Sequence, residues 1–178
     1  MIASPFDHPF LSSLLGGEEV GKLMGPEAEL AAMLRFEAAL AQAEAEERVI
    51  PAVAAAAIAH LCGTFRPDVA ALDQGAARDG VVVPELVRQL RAGLAEPHRA
   101  YLHFGATSQD VVDTALVLRL KELAARFDTR LGELETALAR LERDFGGKAL
   151  MGRTRMQDAL PITVGDRIAA WRQPLARH

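Results

Sequence analysis

The sequence predicts an all-α protein, with a small N-terminal helical domain followed by the start of a long-helix bundle. Three observations predict it. Alanine and leucine dominate an apolar share of 50% while aromatics stay at 5%, the composition of strong helix formers. Proline and glycine fall between the apolar-periodic runs and punctuate them into short helices. From residue 116 onward, large apolar residues recur at the helical period.

Residues 4–19 mix Ser, Pro, Gly and Asp with Phe6, Phe10, Leu11, Leu14 and Leu15, and read as an ordered but irregular arm that packs by its large side chains. Gly25-Pro26-Glu27 then starts a helix, with proline in the first turn. It runs to about Val49 with Leu30, Leu34, Ala38 and Ala41 on one face, and Pro51 ends it. An alanine-rich helix spans about Pro51 to Leu61, and a third spans Pro67 to Ala77. Pro84 opens a fourth whose apolar set is Leu86, Val87, Leu90 and Leu94. Gly63, Gly75 and Gly80 separate them, and the helical run closes near Ala95-Glu96-Pro97. The N-terminal domain is therefore placed at residues 1–104, and the first part of an incomplete bundle domain at 105–178.

From Ser108 to Phe145 only Gly132 interrupts a continuous helical pattern. Leu116, Leu120, Leu123, Phe127, Leu131, Leu134, Leu138, Leu141 and Phe145 form one stripe. Its mean step is about 3.6 residues, the period of a straight helix rather than of a sustained supercoil. Such a helix is about 57 Å long at 1.5 Å per residue, so it projects from a domain of this size. A projecting apolar stripe needs cover from further helices or other subunits, and oligomerisation is expected from length and pattern. Gly146-Gly147 ends this helix. Thr163 with Asp166 three residues on suits the start of another, running back along the first. Pro174 either kinks that helix or stops it near Gln173.

Several function classes are disfavoured. Twenty basic and 24 acidic residues, net −4, are spread along the chain, with no footprint for nucleic acid or an anionic membrane. Cys62 stands alone in "AHLCG" and reads as a small buried hydrophobe in a reducing compartment. The opening "MIASPFDHPF" lacks the pattern of a secretion signal, and "IPAVAAAAIAHL" is too short to cross a bilayer. A cytoplasmic chain is expected. The five histidines are scattered without i, i+4 pairs and no phosphate-binding glycine loop occurs, so neither a metal nor a cofactor is expected.

Two polar patches stand out. "HFGATSQDVVDT", residues 103–114, concentrates hydrogen-bonding groups at the mouth of the long helix. Capping by Thr107 or Ser108, with Asp110 against the helix dipole, accounts for part of it. His103 and Gln109 are left over. "GRTRMQDALPIT", residues 152–163, clusters Arg153, Thr154, Arg155 and Gln157 in a connection, where functional residues concentrate. Arginine forks bind carboxylates; the same residues also suit a solvated turn.

These two stretches, in this order and flanking one long helix, resemble the first and second signatures of the fumarase, aspartase and adenylosuccinate lyase superfamily. With the opening "SPFDHPFLSSLLG", the wording is most similar to the superfamily's 3-carboxymuconate cycloisomerase branch, along essentially the whole chain. The resemblance implies a long-helix bundle of the fumarase/aspartase type and a homotetramer with active sites shared between subunits. The implied reaction is cyclisation of 3-carboxy-cis,cis-muconate to 4-carboxymuconolactone, in the protocatechuate branch of the β-ketoadipate pathway. A carboxylate oxygen adds to a double bond, and the negative charge that develops at a neighbouring carboxylate must meet aimed donors.

On that resemblance His103, Ser108 and Thr154 are the candidate catalytic residues. Thr107, Gln109, Arg153, Arg155 and Gln157 are the candidate substrate-binding residues, and Asp110 holds the turn. The ligand is a small polycarboxylate. Where many relatives read Gly-Arg-Thr-His, this chain has Arg155, which can clamp or stabilise but not exchange protons near neutral pH. That argues against adenylosuccinate lyase or fumarase chemistry. The superfamily's third signature, a Gly-Ser-Ser-x-Met-Pro loop with the proposed catalytic serine, does not occur among the 178 residues. These residues carry two of three parts of a site and are not expected to turn over substrate alone. The competing readings are another superfamily lyase, such as adenylosuccinate lyase, and a noncatalytic helical assembly module.

Overall fold

A computed structural model describes residues 10, 11, 14 and 17–177. They are mostly helical, as composition and punctuation predict. Helices α1 (Glu18–Met24), α2 (Pro26–Glu46), α3 (Ala52–Thr64), α4 (Val69–Asp79), α5 (Val83–Gly93), α6 (Glu96–Arg99) and α7 (Ser108–Phe145) are followed by strands β1 (Ala149–Thr154) and β2 (Gln157–Thr163) and by α8 (Val164–Ala176). No described helix is long and apolar enough to cross a membrane. Two compact units meet at Glu122/Leu123.

The first unit is built on α2–α5, with Leu102 and the first turns of α7 joining the core. Met33, Ile58, Leu86, Leu90, Leu102 and Val111 are fully buried, each contributing about 1.5–3 kcal/mol relative to exposure. Pro26 sits in the first turn of α2, and Gly25 precedes it in extended conformation. Asp68 caps α4 by accepting from Ala71 N at 3.1 Å, and left-handed Gly80 closes it. That cap, rather than Pro67, sets where the helix begins.

Helices α4 and α5 touch where Gly75 faces Glu85, whose Cβ would lie 2.5 Å from a side chain added at residue 75. Buried Glu85 accepts from Arg88 Nε at 2.7 Å and from Gln89 Nε2 at 3.0 Å. Gln89 also accepts from the backbone N–H of Asp68 at 2.9 Å. These contacts tie the start of α4 to α5.

The second unit contains an element absent from the sequence reading. Residues 149–163, of which 152–163 were expected to be a connection, form an antiparallel hairpin pairing Ala149 with Thr163 and Thr154 with Gln157, with an irregularity between Met151 and Arg153. Its base is tied by Val164 N to Lys148 O and Gly165 N to Gly146 O, both 2.9 Å. Thr163 and Asp166 form a full capping box at the start of α8. Arg172 reaches Glu142 at 2.8 Å and Glu135 at 3.6 Å, so α8 runs back along the second half of α7. Pro174 neither stops this helix nor breaks it before Ala176. It lies in the last turn, where few amide bonds remain to be lost.

Two further expectations need correction. Residues 18–24, read partly as an irregular arm, form α1. Phe10, Leu11 and Leu14 of that arm are exposed, whereas Phe6 and Leu15 lie outside the described residues. Of the nine-residue stripe on α7, Leu138 is buried and most of the others are exposed. The period is as predicted; the chain by itself does not cover the face.

Candidate active site

The first patch sits where a turn of residues 100–105 feeds α7. His103 (φ 58°) and Gly105 (φ 70°) both adopt left-handed backbone conformations. Glycine takes that region freely, but a histidine there carries strain that its contacts must offset. The contact is visible: His103 Nδ1 lies 2.7 Å from Glu37 Oε1, and the Glu37 carboxyl is almost wholly enclosed. Glu44, two turns further along α2, faces the same turn. Burial, and next the charge of Glu37, raise its carboxyl above the ordinary range, while His103 lowers it.

At the helix mouth Asp110 holds the turn. It accepts from Thr107 N at 2.8 Å and from Thr107 Oγ1 at 2.9 Å. Those two bonds, with His103 a smaller cause, hold its carboxyl below the usual aspartate range. The Thr107 hydroxyl is therefore engaged as a donor within the turn. Gln109 donates through Nε2 to Asp113 at 2.6 Å. Ser108, half-buried at the first helical position, has no side-chain hydrogen bond among the described residues. It presents an uncommitted hydroxyl beside the free N–H groups of a 38-residue helix, a setting that favours anions.

The second patch is the tip of the hairpin. Thr154 and Gln157 pair across a two-residue turn of Arg155 and Met156, and Met156 has φ 61° and is 95% exposed. Arg153 faces Asp158 at 3.4 Å in an exposed cross-strand pair, which is weak enough to exchange for a better anion. Arg155 has no ion pair among the described residues. Four donor side chains, Arg153, Thr154, Arg155 and Gln157, thus line one exposed tip. The sequence-predicted residues form two groups: His103, Thr107, Ser108 and Gln109 in the first unit, and Arg153, Thr154, Arg155 and Gln157 in the second. Among the described residues no group of His, Cys, Asp and Glu is arranged to hold a metal.

Glu37 and Glu44 were missed by the sequence reading, although one signal was present. Glu37 falls between Leu34 and Ala41 on the apolar face of α2. A carboxylate in that register must be buried, and buried carboxylates need partners.

This long helix with its hydroxyl-bearing mouth, followed by an arginine-rich hairpin, defines a class of protein. Residues 21–178 match the lyase family model, and the chain belongs to that family. Among its relatives is a 3-carboxy-cis,cis-muconate cycloisomerase of Bradyrhizobium diazoefficiens, 38% identical over 172 residues that cover 95% of this chain and 38% of the relative. The crystal structure of the beta-carboxy-cis,cis-muconate cycloisomerase from Acinetobacter calcoaceticus is similar with a TM-score of 0.90 at 32% identity, over 94% of this chain and 40% of that one. A fumarate lyase of Mesorhizobium sp. BNC1 has a TM-score of 0.84 at 36% identity, over 90% of this chain and 38% of that one. The chain spans about two fifths of the length of these relatives.

Proposed function

We propose that the protein carrying this chain is a 3-carboxy-cis,cis-muconate cycloisomerase, closing its substrate to 4-carboxymuconolactone. The supporting observation is the 38% identity, over 95% of the chain, to a muconate cycloisomerase. In this reading the two polar patches, contributed by neighbouring subunits of a cytoplasmic homotetramer, enclose one polycarboxylate. The division into residues 1–104 and 105–178 belongs to the same proposal, with the second part supplying the bundle through which subunits assemble. No cofactor takes part.

Roles follow from the donors available. The Ser108 hydroxyl and the α7 N-terminus hold one carboxylate, and His103 either exchanges the proton or positions the group beside it. Thr154 and Gln157 supply neutral donors from the hairpin tip, while Arg153 and Arg155 stabilise the charge that gathers on the carboxylate next to the reacting carbon. Thr107 and Gln109 are engaged with Asp110 and Asp113. Either binds substrate only by exchanging that acceptor for a substrate carboxylate.

The test is an assay of the enzyme containing this chain on 3-carboxy-cis,cis-muconate and, in parallel, on adenylosuccinate. Consumption of the first with formation of the lactone is expected. Activity on adenylosuccinate alone would overturn the assignment.

A further inference from the structure

One cluster near the first patch is not explained by anion binding. Glu37 is 1% exposed, its Oε1 meets His103 Nδ1 at 2.7 Å, and its Oε2 is buried without a partner among the described residues, as is Glu44 Oε2. A carboxyl so enclosed is costly to maintain with a single partner. Losing either member of the pair would leave the other buried and uncompensated. The strained backbone of His103 adds to that cost, and Gly105 lets the chain turn beside Glu44. The side chain of His103 is 14% exposed, so it is held from one side and open on another.

We propose that Glu37 is a positioning residue for His103. By accepting from Nδ1–H it fixes the ring and its tautomer, and leaves Nε2 as the one nitrogen available to substrate. Which imidazole nitrogen carries the proton is set by the hydrogen bond the other one makes. The charged and titratable groups around the ring are Glu37 and Glu44 from α2 and Asp110 from α7. Glu37 alone makes direct contact. Glu44, kept toward its neutral form by burial and by the Glu37 charge, limits the negative charge that the pocket must hold. Cys62 of α3, also influenced by Glu37, is pushed up to about 11, chiefly by burial. It does not compete for the ring's proton.

That His103 acts on substrate rests on the function proposed above, so the experiment has two arms. The first needs no substrate. Long-range nitrogen–proton NMR of the 178-residue chain reads the tautomer of each histidine, with His103→Gln assigning the signal among five. The wild-type ring is expected to carry its proton on Nδ1. Glu37→Leu, which removes the acceptor, should release it to the Nε2–H form preferred by a free histidine side chain, and Glu37→Gln, which keeps the shape and an acceptor, should retain more of the native form. A wild-type Nε2–H tautomer, or no change in Glu37→Leu, overturns the proposal; the wild-type reading stands even if a variant fails to fold.

The second arm measures Glu37→Leu in the active enzyme on 3-carboxy-cis,cis-muconate, with Glu37→Gln as the conservative variant that should lose less. A fall in kcat of roughly tenfold or more is expected, with KM moving less. A shifted tautomer with unchanged kcat refutes the positioning role and leaves the cycloisomerase assignment standing. A wild-type enzyme inactive on this substrate refutes the assignment, and the tautomer then decides the Glu37 contact by itself.

Discussion

Gly75→Ala isolates a close approach between two helices of the first unit. The added Cβ would lie 2.5 Å from Glu85 Cβ and 2.9 Å from Glu85 Cγ. Ordinary carbon–carbon contact is about 3.5–4.0 Å, so the shortfall is about 1 Å. The near atoms belong to the root of a side chain that Arg88 and Gln89 hold in place. Either α4 and α5 separate or Glu85 swings out and gives up those bonds. Overpacking of this kind costs about 1–3 kcal/mol, and replacing a helical glycine by alanine returns roughly 1 kcal/mol, leaving a net loss of up to about 2 kcal/mol. Gly132→Ala in α7 is the control, because nothing lies within 4 Å of its added Cβ. It should stabilise by about 0.5–1 kcal/mol. Urea unfolding gives the sign, and amide exchange in α4 and α5 localises the loss. Equal stabilisation by both substitutions would refute the packing argument.

Ser108→Ala and Thr154→Ala, made in the active enzyme, should each lower kcat/KM by roughly tenfold or more and leave the thermal midpoint nearly unchanged; parallel losses of activity and stability would assign both residues a structural role. Arg88, then Gln89, hold the Glu85 carboxyl down to about 2 against an ordinary 4.5. Because the folded value is the lower, its contribution is complete above pH 4.5 and disappears as pH falls toward 2. Glu85→Gln should flatten the pH dependence of stability in that window, as followed by circular dichroism at fixed urea. Thr163→Ala removes the capping-box acceptor of Asp166 N and should cost about 1 kcal/mol, seen as faster amide exchange in the first turn of α8. Cys62 is buried with its thiol raised to about 11, so an aromatic disulfide reagent should label it at pH 8 only after denaturant is added.

Much of the fold was legible because helices announce themselves locally. The long helix was bounded at Ser108 and Phe145 by its hydroxyl-rich mouth and its two glycines, and both ends match. Gly25-Pro26 and the Thr163–Asp166 pair likewise fix their helices within a single turn of chain. The hairpin escaped because its turn is Arg155-Met156, with a methionine in the left-handed region, where Asn-Gly is the usual signal. Pro161 within β2 also argued against a strand. At the helix mouth, the turn made by Asp110 followed from residue type and place. Glu37 did not, because its partner lies 66 residues away and only the packing of α2 against the turn at His103 makes the pair.

The central claim is that the mouth of α7 and the tip of the hairpin, from different subunits, share one polyanionic ligand. A crystal structure of the assembled enzyme with a tricarboxylate bound tests it most directly. The expected result is one carboxylate within hydrogen-bonding distance of Ser108 and another within reach of Arg153 or Arg155 of a neighbouring subunit. A ligand held elsewhere, with the two patches far apart in the assembly, would contradict it.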